Sequence, residues 1–168
     1  TGDTIFTGLN SLTDAEMRNG SGDLTVTYNS DPISGASDTQ KLTLSSLTNG
    51  TFTADGIETL AITSELVKST VKDVTGSALT KITVDGAAKL TVTDGLTEKT
   101  IDGSASSGGL DLTLGTTTAQ TVTGGSGDDV IRGLTGVAST DTISGGTGTD
   151  TLTLEIGDAT YDAKPESS

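Results

Sequence analysis

Gly124-Gly125-Ser126-Gly127-Asp128-Asp129-Val130-Ile131-Arg132 and Gly145-Gly146-Thr147-Gly148-Thr149-Asp150-Thr151-Leu152-Thr153 are two versions of one nine-residue pattern. Each follows G-G-x-G-x-D-x-U-x, with a large apolar residue at U. The glycines permit a tight turn whose backbone a Cβ would obstruct. The closing x-U-x is a three-residue strand that sends one apolar side chain inward, Ile131 in the first copy and Leu152 in the second. A single turn-plus-strand unit cannot bury its apolar side alone, so such units must stack on one another. The stretch therefore predicts an all-β fold, a parallel β-solenoid or β-roll with little or no helix.

Between the two copies lies a decayed one, Gly136-Val137-Ala138-Ser139-Thr140-Asp141-Thr142-Ile143-Ser144, which keeps the first glycine, the aspartate and the apolar residue. The aspartates Asp129, Asp141 and Asp150 are thus spaced by twelve and nine residues, the twelve being nine plus an insertion assigned to Gly133-Leu134-Thr135. At the amino end, Asp3-Thr4-Ile5-Phe6 has the form of the tail of another repeat.

Outward from this section, aliphatic residues alternate with Thr along much of the chain. Leu24–Tyr28, Lys41–Leu44, Leu60–Thr63, Ile82–Val84, Leu90–Thr93, Leu110–Leu114 and Leu152–Leu154 all show the two-residue period of a half-buried strand. Asp-Gly pairs close three successive runs at Asp85-Gly86, Asp94-Gly95 and Asp102-Gly103. Such pairs fit either hairpins or the corners of a parallel coil. The coil is favoured because the nonapeptide section must be parallel, and the three Asp read as turn formers before they read as ligands. Helix is scarce. Ser11 to Asn19 carries two overlapping capping-box patterns and predicts one short helix, with Ser64 to Lys72 a weaker second candidate. The chain divides into a β-rich segment over 1–55, with the possible helix at 11–19, solenoid rungs over 56–123, a nonapeptide roll over 124–156 and a tail over 157–168. The absence of an initial Met and the abrupt final residues read as a piece of a larger protein.

Composition supports a thin core. Thr, Gly and Ser number 35, 23 and 18 of 168 residues, while only 2% of the chain is aromatic. A solenoid needs little more than a row of Val, Ile and Leu with Thr outside. The formal net charge is −14, which argues against nucleic acid, since no basic stripe exists to contact phosphates. No apolar run is long enough to span a membrane as a helix. Seventeen of the 23 acids are Asp, which places the negative charge in turns. Neither Cys nor His occurs, removing thiolate and imidazole metal sites and any Ser-His-Asp triad. Paired carboxylates for glycoside hydrolysis are available, for example Asp111, Glu98 and Glu155, but only Phe6, Phe52, Tyr28 and Tyr161 could stack a sugar. The expectation is that this chain is not an enzyme.

The glycine-aspartate turns aim backbone carbonyls and one carboxylate into a common space. An all-oxygen donor set of this kind suits Ca²⁺ better than a transition metal. The candidate ligating residues are Gly125, Ser126, Gly127, Asp129, Asp141, Gly146, Thr147, Gly148 and Asp150. Sites at Asp3, Asp85, Asp94 or Asp102 are open alternatives. Extracellular calcium modules bind with Kd of about 10⁻⁴ to 10⁻³ M, so a site of this type fills outside cells.

These motifs resemble the RTX (repeats-in-toxin) proteins, which are secreted and wind their nonapeptides into a calcium-bound β-roll. The resemblance implies a right-handed coil with two nonapeptides per turn and Ca²⁺ lying between repeats two apart. Carried over, the Gly125-Ser126-Gly127 and Gly146-Thr147-Gly148 loops would share one ion with Asp129 and Asp150, and Asp141 would lie on the opposite edge. The spacing of that pair, 21 residues, departs from the roughly 18 of two regular nonapeptides. Gly56-Ile57-Glu58-Thr59-Leu60-Ala61-Ile62-Thr63-Ser64 and the Thr-rich rung Gly76–Val84 are similar to segments of RTX-type bacterial surface-layer (S-layer) proteins. That likeness implies a structural, calcium-dependent, lattice-forming segment at the cell surface, exported by type I secretion. The implied partners are other copies of the protein and, through parts outside this chain, a surface glycan or lipopolysaccharide. An RTX adhesin, or the calcium-folded secretion domain of a larger toxin or hydrolase, is the alternative.

Overall fold

The computed structural model describes residues 2–116, 119–133 and 137–154. Along them run sixteen strands, numbered in chain order, and every pairing between them is parallel. They wind into a β-solenoid of about seven turns. One seven-stranded sheet runs the length of the coil. It contains β2 (Ala15–Arg18), β4 (Thr39–Ser45), β6 (Thr59–Ser64), β9 (Lys81–Gly86), β11 (Thr100–Ser106), β13 (Thr121–Thr123) and β15 (Thr142–Ser144). Two shorter sheets share the rest of each turn. Towards the amino end stand β1 (Thr4–Leu9), β3 (Leu24–Tyr28), β5 (Thr51–Ala54) and β8 (Asp73–Thr75). Towards the carboxyl end stand β7 (Ser69–Val71), β10 (Leu90–Leu96), β12 (Leu110–Leu114), β14 (Val130–Gly133) and β16 (Thr151–Leu154).

Alternation sets which side of each strand faces in. In β6 the residues Leu60, Ile62 and Ser64 are buried while Thr59, Ala61 and Thr63 are half-buried outside. Register then stacks like on like: Leu60, Ile82, Ile101, Val122 and Ile143 form one column. Val71, Val92, Leu112, Ile131 and Leu152 form another across the coil. Steps along these columns are 19 to 22 residues, so the 21 that separates the two nonapeptides is this coil's own period. Leu152 is 52% exposed because no described rung covers it, whereas Ile131 is buried beneath it.

One turn is longer. Leu24 pairs with Phe52 and Ala15 with Leu42, steps of 28 and 27 residues. The surplus lies in Asn29–Asp38, which leaves the corner after β3, makes a short 3₁₀ turn at Asp31–Ile33 and returns to β4. Gly56, at φ +78°, lies directly under the end of Ile33, where a Cβ would collide with it.

The helix expected over 11–19 does not form. Ala15–Arg18 is strand β2, paired with Leu42–Ser45, and it buries Met17 against the core. A helix of about two turns lacks the length to stand alone, and burial of Met17 on a sheet edge outweighs its capping pattern. Ser64–Lys72 is likewise not helical: it ends β6, turns, and enters β7. The Asp-Gly pairs are not hairpin turns. Asp85-Gly86 ends β9, while Asp94-Gly95 and Asp102-Gly103 lie inside β10 and β11, where the register slips after Val92 and Asp102.

Candidate functional site

Three turns stack along one edge of the coil: the one joining β11 to β12, then Gly124–Asp129, then Gly145–Asp150. Ser126 N donates to Ser106 O and Thr147 N to Gly125 O, both at 2.9 Å, so each turn hangs on the one before. The approach is close enough that a Cβ on Gly125 would overlap the Ser106 carbonyl oxygen, and one on Gly146 that of Gly125. Gly146 and Gly148 also take φ of +92° and +126°, open to glycine at little cost.

Asp129 is the best-held of the predicted ligands. It is 1% exposed, its Oδ1 accepts Leu110 N at 2.6 Å and its Oδ2 accepts Gly125 N at 2.7 Å. In the next rung Asp150 Oδ1 accepts Asp129 N at 3.0 Å, and Asp128 Oδ1 reaches Thr149 N at 2.8 Å. The two Gly-x-Gly loops and Asp129 with Asp150 thus lie together in adjacent rungs. Asp141 lies apart from them, in the turn between β14 and β15, where it accepts Gln120 N and Ala138 N, each at 2.7 Å.

Sequence reasoning missed that many other carboxylates do the same work. Asp3 accepts Asp23 N, Asp23 accepts Thr51 N, Asp55 accepts Ser77 N and Glu58 accepts Asp38 N, each across one full turn of the coil. A visible signal existed: Asp3, Asp23, Asp129, Asp141 and Asp150 each stand immediately before a strand. Of the remaining alternatives, Asp102 and Asp94 are engaged elsewhere. Asp102 accepts the N–H and hydroxyl of Ser104, bonds that hold its carboxyl below the usual value. Asp94 lies 3.9 Å from Lys72 Nζ. Asp111, named above as a candidate acid, is paired with Arg132 on the outer face. Glu155, Tyr161, Gly136, Leu134, Thr135 and the tail over 157–168 lie outside the described residues.

The donors along the edge are all oxygen: the carboxylates of Asp128, Asp129 and Asp150, the hydroxyls of Ser126 and Thr147, and the turn carbonyls. Among the described residues no three acidic side chains converge as a metal cluster, so a cation here would draw most of its ligands from backbone carbonyls. That is compatible with Ca²⁺, which accepts six to eight oxygens in a flexible shell. The hydrogen bonds to Asp129 do not exclude it, because each carboxylate oxygen keeps a second lone pair. The residues therefore fit a hard cation by donor type.

Beyond this edge, a cavity of about 320 Å³ at the amino end is lined by Phe6, Met17, Leu24 and Leu47 among others, and shares no residue with the glycine-aspartate turns. No helix among the described residues is long and apolar enough to cross a membrane. The chain matches no protein-family model, and comparison with curated proteins and with solved structures gives no match for it.

Proposed function

We propose that this chain is a structural segment of a secreted bacterial surface-layer protein, tightened by Ca²⁺ at the Gly124–Asp129 and Gly145–Asp150 turns. The observation that carries the reading is the stacking of these two turns in adjacent rungs, with Asp129 and Asp150 hydrogen-bonded across the gap. A chain crowded with turn carboxylates repels itself when they are bare and coheres when a divalent ion joins neighbouring rungs. The same chemistry between acidic faces of separate molecules would make lattice assembly calcium-dependent. One ion at about 100 times its Kd adds roughly 2.7 kcal/mol to stability, which is substantial for so thin a core.

A second reading has its own support. Asp3, Asp23 and Asp141 make similar backbone bonds away from the paired turns, so the carboxylates of the edge are also sufficient as metal-free staples between rungs. Calorimetric titration with CaCl₂ separates the two. Binding heat that disappears in Asp150→Ala, with small-angle scattering that changes on adding chelator, is the expected result. Undiminished stoichiometry in Asp150→Ala together with Asp129→Ala removes the site, and unchanged shape and assembly state with chelator removes the calcium-dependent lattice.

A further inference from the structure

Glu98 lies inside the corner that joins β10 to β11, and neither the calcium edge nor the outer faces involve it. Ile57, Leu79 and Glu98 each stand two residues ahead of Thr59, Lys81 and Thr100, which are in register. A carboxyl thus occupies the place that the two preceding rungs give to aliphatic side chains. It is 6% exposed, and its Oε2 is buried without a hydrogen-bond partner. From the following rung Gln120 closes over it, donating Nε2 to the carbonyls of Leu96 at 2.9 Å and Glu98 at 3.1 Å.

The charged surroundings are hostile to an anion. From β8 the Asp73 carboxylate acts on Glu98, and Asp73 is itself opposed by Asp94 and only partly relieved by Lys72. Gln120 is uncharged, and its N–H is taken by Asp141. Burial pushes the Glu98 carboxyl above the usual glutamate value, backbone N–H groups of Glu98 and Thr97 pull it back, and Asp73 pushes it up again. Asp73 is raised in the same direction, chiefly by its own burial.

We propose that Glu98 is a proton-operated latch on the middle rungs: as the neutral acid it packs into the corner column, and once ionised it leaves the column and frees the turn from Thr97 to Lys99. The sign follows from linkage. A carboxyl that holds its proton more tightly folded than unfolded costs nothing below its unfolded value and destabilises progressively as the pH rises through its folded value. Through this group the coil is tightest in mild acid and slackens towards alkaline pH.

The test is chemical denaturation of the whole chain from about pH 4 to about pH 8, with chelator present throughout so that calcium plays no part. E98Q keeps the shape and cannot ionise. Its midpoint should match the wild type in acid and rise progressively above it as the pH increases. Asp73→Asn removes a charge that opposes ionisation in the folded chain, so in that background the gap between Glu98 and its E98Q counterpart should become smaller and level off at a lower pH. E98L, which restores the aliphatic column, should lack the pH-dependent loss as well and serves if the amide fails to fold. Parallel pH profiles for wild type and E98Q, or an alkaline gap undiminished by Asp73→Asn, would overturn the latch.

Discussion

At the scale of single residues, the turn aspartates act as hydrogen-bond acceptors aimed along the coil axis. Asp129 is the extreme case, buried and satisfied on both oxygens by N–H groups from its own turn and the preceding rung. Removing an acceptor leaves a buried N–H unpaired at a cost of about 1–3 kcal/mol, so Asp129→Ala should lose about 2–5 kcal/mol even in chelator, and Asp129→Asn markedly less. Urea unfolding of both variants, metal-free, checks this. A loss seen only with calcium present would show that the carboxylate matters as a ligand and not as a staple. The apolar columns give a second contrast. Ile101 is covered by Ile82 on one side and Val122 on the other, so Ile101→Ala should cost about 2–5 kcal/mol. Leu152→Ala, half exposed on the last described rung, should cost under about 1 kcal/mol.

At the scale of elements, strands and turns were unequally legible. Every run of alternating Thr and aliphatic residues became a strand, because the two-residue period alone decides which side chains enter the core. The nonapeptides came together as expected because 21 residues is one turn of this coil, a fact that only the register of its other rungs reveals. The segment from Ser11 to Asn19 misled because capping patterns are local, whereas the edge of β4 that captures Met17 lies more than twenty residues away. Glu98 was visible as a residue but not as a buried one, since a carboxyl in an apolar column breaks the pattern by which columns are recognised. Turn geometry supplies a further prediction. Gly86 ends β9 at φ +106°, and a Cβ there would strike the Ser64 carbonyl. Gly86→Ala should therefore cost more than the roughly 1 kcal/mol of left-handed strain alone. Thermal melting reads this directly, and an unchanged Tm would mean that the turn relaxes.

At the scale of the whole molecule, each rung pairs only with the rung before and the rung after, so stability is a chain of nearest-neighbour terms. Rungs at the described ends have one neighbour among the described residues and should open first. Amide exchange is accordingly expected to be fastest in β1, β2, β15 and β16 and slowest around β9 and β10, with protection falling off in both directions. Uniform protection across all rungs would contradict the neighbour-by-neighbour picture. The same independence explains how the turn containing Asn29–Asp38 carries several residues more than its fellows while the columns on either side stay in register. Since Ile33 plugs over Gly56 while Ser34–Ser37 are exposed, that corner is a natural grafting port: a peptide epitope spliced between Ser34 and Ser37 would be displayed from the side of the coil without altering its pitch.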